Sequence, residues 1–182
     1  MAATEHAQIL KKDTREWITI ALLELLQTKK ISKLTISELV KKAGVSRMAF
    51  YRNYESLEHV LVEYYEPKFA DIFNKIAFKR NHEQKITDMT NFFLELSHDF
   101  QLAIESDYTG LLYQIFKNHI TQFYDEIIPF PDWTGAKRDY WIHFMSAGVF
   151  EIWVMWIKNG QKETIEEIST LIRLFQEFFC GL

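Results

Sequence analysis

Glycine and proline are scarce in this chain of 182 residues, at six and three. Strands joined by frequent turns need more punctuation than that, so an all-α fold is the simplest reading. The single cysteine, Cys180, excludes an intramolecular disulfide and fits a reducing compartment. It sits on an aromatic-rich helix end, where a small apolar filler is its expected role. No stretch approaches the roughly 20 apolar residues of a membrane span. The richest run, residues 144–157, is broken by Glu151 and followed by Lys158. The start, Met1-Ala2-Ala3-Thr4-Glu5-His6, lacks the apolar core of a signal peptide, so a cytoplasmic location is expected. Internal repeats and low-complexity segments are also missing. So are a glycine-rich phosphate loop, a G-x-S-x-G elbow and a metal-spaced Cys/His cluster. One Glu95-x-x-His98 element occurs, but a di-iron bundle needs a second and two further glutamates. The expectation is a protein that is not an enzyme and has no cofactor or metal.

What is present is concentrated in residues 32–60. Leu39, Val40 and Ala43 make the apolar face of a short helix. Gly44 follows, where a residue free to take positive φ is needed. Val45 can plug the gap between two helices, and Ser46 can cap the next one by accepting from its orphan amides. That helix, about residues 47–54, has Phe50 and Tyr54 on its apolar side. Arg47, Met48, Tyr51, Arg52 and Asn53 lie on the other. One stapling face and one donor-rich face is the layout of a helix-turn-helix that docks in the major groove.

Charge agrees. Residues 29–52 hold seven bases (Lys29, Lys30, Lys33, Lys41, Lys42, Arg47, Arg52) against Glu38, a charge of +6. The whole chain carries −4, so the remainder carries −10. A lysine-rich run is ordinarily just a solvated face. With the Ala43-Gly44-Val45-Ser46 turn inside it, on an acidic chain, it reads as a local phosphate-binding footprint.

These residues resemble the DNA-binding domain of the TetR family of one-component transcription regulators. The matching positions are Thr35, Leu39 through Ser46, Phe50, Tyr51, Tyr54 and Glu58, within residues 10–62. The chain departs from the family at Met48, usually a small residue or proline, and at Tyr54, more often phenylalanine. It departs again at Leu57, usually a phosphate-touching lysine, which implies the loss of one backbone contact. The resemblance implies a helix-turn-helix domain over 1–62 and a helical effector-binding and dimerisation domain over 63–182. It implies a regulator, a repressor by default, that binds a palindromic operator in double-stranded DNA as a homodimer. A small, largely apolar effector would release it. The alternative is a co-regulator of the same fold that acts through a protein partner without binding an operator.

Within that reading Arg47 is the first candidate for a base edge, since arginine can engage guanine with two donors. Tyr51 and Met48 follow, for base or sugar. Thr35, Ser37, Asn53 and the Ala49 backbone suit phosphates. Lys33, Lys41, Lys42 and Arg52 supply unspecific attraction, and Ser46 caps the reading helix.

The remaining periodicity predicts a first helix from Ala7 or Asp13 to Thr28, with Trp17, Ile18, Ala21, Leu22, Leu25 and Leu26 as one apolar stripe. A second helix over 36–43 is capped by Thr35 or Ser37. A fourth, capped by Ser56, either stops near Tyr65 or bends at Pro67. Further helices are expected over 83–105, 109–127, 136–159 and 162–179, with a loop at 129–135. Thr164 and Glu167 form a capping-box pattern that would start the last helix two residues later. Apolar residues on more than one side of the last two helices ask for a partner. Phe144, Gly148, Ile152, Ile165, Ile168, Leu171, Ile172, Phe175, Phe178 and Phe179 are the expected dimer interface. By the resemblance, Phe92, Phe93, Phe100, Tyr113, Phe116, His119, Trp141, Phe144 and Trp153 would line the effector pocket, although aromatics at helical spacing are more often plain core. His98, Asn118, His119 and His143 are the candidate polar handles there.

Overall fold

A computed structural model describes residues 2–77, 82–127 and 135–180, and within them the side chains of 12–76, 84, 85, 87–124 and 135–176. The described residues form helices α1 (Ala2–Leu26), α2 (Ile36–Ala43), α3 (Arg47–Tyr51), α4 (Leu57–Ala77), α5 (His82–Glu95), α6 (Ser97–Glu105), α7 (Thr109–Ile127), α8 (Ala136–Lys158) and α9 (Ile165–Cys180). A short 3-10 turn, Ile31–Lys33, precedes α2. The fold is all-α, a helix-turn-helix followed by a larger helical bundle.

Local chemistry sets most boundaries. At α2 the Thr35 hydroxyl accepts from the Glu38 amide, and the Glu38 carboxylate accepts from the Thr35 amide. This reciprocal box satisfies two donors that a helix start leaves open. Gly44, at φ 68°, ends the helix, and Val45 N–H closes back on Val40 O at 3.0 Å. A β-carbon there would strain the left-handed backbone. Ser56 caps α4 through the His59 amide, and Thr164 with Glu167 boxes the start of α9.

Four expectations need correction. The first helix begins at Ala2, earlier than either proposed start. Trp17, placed in its apolar stripe, is exposed, while Ile18, Ala21, Leu22 and Leu26 are buried. The third helix ends at Tyr51, because Arg52 and Asn53 already turn toward Tyr54. The segment expected as one helix over 83–105 is two, parted at Leu96. No proline or glycine marks that break, so the apolar period runs through it and hides it. α4, by contrast, continues through Pro67, whose missing N–H leaves the Glu63 carbonyl without its helical donor. The loop expected at 129–135 lies outside the described residues except for Gly135.

α4 ties the fold together, packing on α1 at one end and on α5 and α7 along the other. One core runs from Ile18, Leu22 and Phe50 through Leu57, Leu61, Tyr65 and Phe69 to Phe93, Phe116 and Trp153. Each such fully buried side chain contributes about 1.5–3 kcal/mol.

Candidate nucleic-acid interface

α2 and α3 present the candidate surface. Ser46 caps α3, its Oγ accepting from the Ala49 amide at 3.1 Å. Phe50 is fully buried beneath α3 and meets Tyr54 at a ring distance of 6.0 Å. That anchor turns Arg47, Met48 and Tyr51 outward, with Met48 70% and Tyr51 54% exposed. Thr35 and Ser37 are exposed at the start of α2, where helix amides suit an anion. Thr35 is also the capping residue.

One predicted contact is turned inward, and a second folds back on its own helix while staying exposed. The Asn53 side chain donates to Ala49 O at 2.7 Å, and its buried Oδ1 has no hydrogen-bond partner among the described residues. Arg52 curls back, its Nε donating to Met48 O at 3.3 Å. Leu57, where the resemblance suggested a lost phosphate contact, is buried in the core instead. A lysine there would have to bury its stem in that core.

The basic window is partly neutralised. Lys29 pairs with Glu38 at 2.5 Å, Lys42 with Glu24 at 2.8 Å and Lys30 with Asp107 at 3.4 Å. Lys29, ahead of Thr35, holds the Glu38 carboxyl below its ordinary range. Lys33, Lys41, Arg47 and Arg52 are exposed and have no ion pair among the described residues. Sequence patterning could not separate the two sets, because Glu24 and Asp107 lie outside the window.

A frame behind α3 went unseen in the sequence. Arg15 on α1 donates to the Tyr54 hydroxyl at 3.4 Å, lies 5.2 Å over its ring, and pairs with Glu63 on α4. His59 accepts from the Glu55 amide and stands 3.5 Å from Glu63. The partners are 39 and 48 residues from Arg15, so no local signal announces them. A phenylalanine at 54 would lack the hydroxyl that Arg15 meets. An open cleft of about 730 Å³ beside this frame is lined by Lys12, Arg15, Glu16, Thr19, Ile20, Leu23, Tyr54, Glu63 and Tyr64.

The predicted effector residues fall in two groups. Phe92, Phe93, Phe100, Phe116, Trp141 and Trp153 are buried. Phe93 stacks on Trp153 at 4.7 Å and 5°, with Phe100 and Phe116 at 5.4 and 5.6 Å from Phe93. The Trp153 Nε1 has no hydrogen-bond partner among the described residues. Tyr113 is half-buried against Phe150. His119 stacks on Phe73 and reaches Glu66 at 2.8 Å, so it ties α7 to α4. Phe144 is 59% exposed, whereas Trp141 and Met145 of the same helix are buried. His98, Asn118 and His143 are exposed.

The predicted dimer residues also divide. Phe144, Gly148, Leu171 and Phe175 are exposed, Ile152 and Ile165 half-buried. Ile168 and Ile172 face the core of the chain itself. The side chains of Phe178 and Phe179 lie outside the described residues. Tyr140, Met155 and Leu174 join the exposed apolar set. On α9 Leu171, Leu174 and Phe175 face out, and Ile168 and Ile172 face in.

Among the described residues no helix is long and apolar enough to cross a membrane. Residues 80–177, just over half the chain, match the TetR-type family model described as the transcriptional regulator C-terminal region. No curated protein matches the sequence. Among solved structures, a TetR transcriptional regulator from Streptococcus agalactiae is similar at TM-score 0.58 and 22% identity, over 94% of this chain and 97% of that one. The dihydroxyacetone kinase operon activator DhaS is similar at 0.57 and 17%, over 89% and 93%. FadR from Bacillus subtilis, solved with stearoyl-CoA, is similar at 0.52 and 18%, over 86% and 94%. At such identities the likeness establishes the fold. With the family match, the capped helix-turn-helix and the bundle behind it, the chain belongs to the TetR family of transcriptional regulators.

Proposed function

We propose that this regulator reads a palindromic operator as a homodimer, represses by default, and is released by a small, largely apolar effector. Residues 1–62 form the reader and 63–182 the effector-binding and dimerisation part, in a cytoplasmic protein that is not an enzyme. The observation that carries the reading is α3. Five residues, capped by Ser46 and anchored by Phe50, hold Arg47, Met48 and Tyr51 in solvent beside unpaired cations. Arg47 is assigned to a base edge, Tyr51 and Met48 to base or sugar, and Thr35 and Ser37 to phosphate, while the Ala49 amide, expected at a phosphate, is taken by the Ser46 cap.

Dimerisation is supported by the exposed apolar face that α8 and α9 share: Tyr140, Phe144, Met155, Leu171, Leu174 and Phe175. A β-carbon built on Gly148 meets nothing within 4 Å, so a partner helix could approach closely there. Two readers related by a two-fold axis would enter successive major grooves about 34–36 Å apart. The effector reading is supported by the cluster of Phe93, Phe100, Phe116 and Trp153 with its one unfilled indole donor. An apolar ligand with one acceptor suits it. An effector releases DNA only if it binds the two reader arrangements unequally.

The test is binding to the DNA flanking the protein's own gene, at low and moderate salt, beside an Arg47→Ala/Tyr51→Ala variant. Tight, salt-sensitive binding that the variant loses is expected, and effectors are then screened by release. A folded dimer that binds this DNA no better than random DNA would support the co-regulator instead. The ion-paired state of Lys29, Lys30 and Lys42 is the observation that favours that second reading.

A further inference from the structure

The connection between α1 and α2 is held by a residue from the far side of the molecule. Ser106, in the turn between α6 and α7, is 1% exposed. Its hydroxyl donates to Leu26 O at 2.5 Å, at the last residue of α1. Its carbonyl accepts the Ile31 amide at 2.9 Å. One residue of the bundle therefore clamps both ends of the 26–31 connection. The last carbonyls of a helix have no donor of their own, and the Ser106 hydroxyl supplies one here in a place water does not reach.

From Ile31 the chain runs to DNA-facing atoms without slack. Leu34 N–H closes on Ile31 O at 3.1 Å, and the Leu34 side chain is buried. The next residue, Thr35, caps α2. The turn is equally stiff on its own side. Ser106 N–H bonds to Leu102 O and Tyr108 N–H to Ala103 O, both at 2.9 Å. The buried Tyr108 and Tyr65 hydroxyls are 3.1 Å apart, and Tyr65 donates to Asp99 at 3.1 Å. Lys68 reaches the other Asp99 oxygen at 3.2 Å. The turn thus moves with α6 and α7, whose Phe100 and Phe116 belong to the aromatic core. The exposed Lys30–Asp107 pair adds little.

We propose that Ser106 is a positioning residue for DNA reading: it sets where the chain enters α2, and it couples the α6–α7 turn to the reader by hydrogen bonds of its own, beside the packing of α4 on α1. A shift of the α6–α7 turn would pass directly to the amides at the start of α2. The inference rests on the DNA-binding reading for its effect on affinity, and on the geometry alone for the coupling.

Two variants test it. Ser106→Ala removes the hydroxyl and leaves the Leu26 carbonyl orphaned. Ile31→Pro removes the amide donor with little backbone cost. Lys30 already has φ −65° and ψ 146°, the conformation proline requires of its predecessor, and Ile31 opens a helical turn, where proline fits. Amide exchange is measured by NMR on the full chain at residues 32–39, with Ile120 on α7 as reference. Affinity for the own-gene flanking DNA is measured on protein shown to be folded.

Exchange at 32–39 should rise about tenfold in both variants, the scale of losing one buried hydrogen bond, with Ile120 unchanged. Affinity should fall by a similar factor. Unchanged exchange at 32–39 would overturn the proposal whatever the DNA result. Raised exchange with wild-type affinity would overturn the positioning role, since a purely structural contact lowers stability without changing how the folded protein binds. If wild type itself fails to bind DNA, the regulator reading falls, and exchange alone decides the coupling. Should Ser106→Ala not fold, Ile31→Pro carries the same outcomes.

Discussion

Replacing Arg47 by alanine removes two charges from the proposed dimer, and the salt dependence of DNA binding should register both. Lys33, Lys41, Arg47 and Arg52 lack ion pairs among the described residues, whereas Lys29, Lys30 and Lys42 face Glu38, Asp107 and Glu24. A dimer then offers about eight cations, and at about 0.9 per neutralised phosphate log K falls with log salt at a slope near −7. Between about 50 and 200 mM salt that is a loss of about 10⁴-fold. Arg47→Ala should flatten the slope to about −5.5 and cost a further ~2–6 kcal/mol at every salt, ~1–3 for each of the two sites, if the guanidinium reads a base edge. Lys42→Ala should leave the slope unchanged, and Glu24→Gln should steepen it by up to about two by freeing Lys42. The assay is a fluorescence-anisotropy titration at four or more salt concentrations. If Lys42→Ala flattened the slope as much as Arg47→Ala does, the ion pairs would not decide which cations reach DNA. A wild-type slope near −13 would say the same, because all seven bases would then be engaged.

The remaining predictions concern the interface and the fold. Phe175→Glu, placing a charge on the exposed face of α8 and α9, should convert a dimer to folded monomers in sedimentation velocity, and an unchanged dimer would remove that face as the interface. Leu22→Ala, in a fully buried position, should cost about 2–5 kcal/mol in urea unfolding, and a cost below about 1 kcal/mol would contradict the packing described. Burial raises the pKa of Tyr65, with Tyr108 and Asp99 adding to it, and burial lifts that of Tyr108 to about 12. Both tyrosines stay protonated in the fold after they ionise in the unfolded chain, so their stabilising effect is complete below pH 10 and is lost as pH rises toward 12. Each should lower stability by about 1.4 kcal/mol per pH unit in that window, and Tyr108→Phe should remove one share of the slope.

The helix-turn-helix was legible because its signals are local. Gly44 and Ser46 each act within four residues, and the structure uses them as the sequence reading expected; between Thr35 and Ser37 it chooses Thr35 as the cap, boxed with Glu38. The same holds for Ser56 and for the Thr164–Glu167 box. Where a periodic pattern was the only guide, the reading failed in recognisable ways. Trp17 continues an apolar period and is exposed, and the break at Leu96 carries no breaker residue.

By itself the sequence determined an all-helical chain, a capped and turned helix-turn-helix, a local excess of positive charge, and more apolar helix face than one core can cover. These follow from rotamer, cap and charge preferences that act along a few residues of chain. Only the tertiary structure decided which lysines are already paired, which side of α9 is buried, and what stands behind Tyr54. It alone brought Ser106 against Leu26 and Ile31. Each of those depends on groups tens of residues apart, and only the packing of α1, α4, α6 and α7 around one core chooses their neighbours.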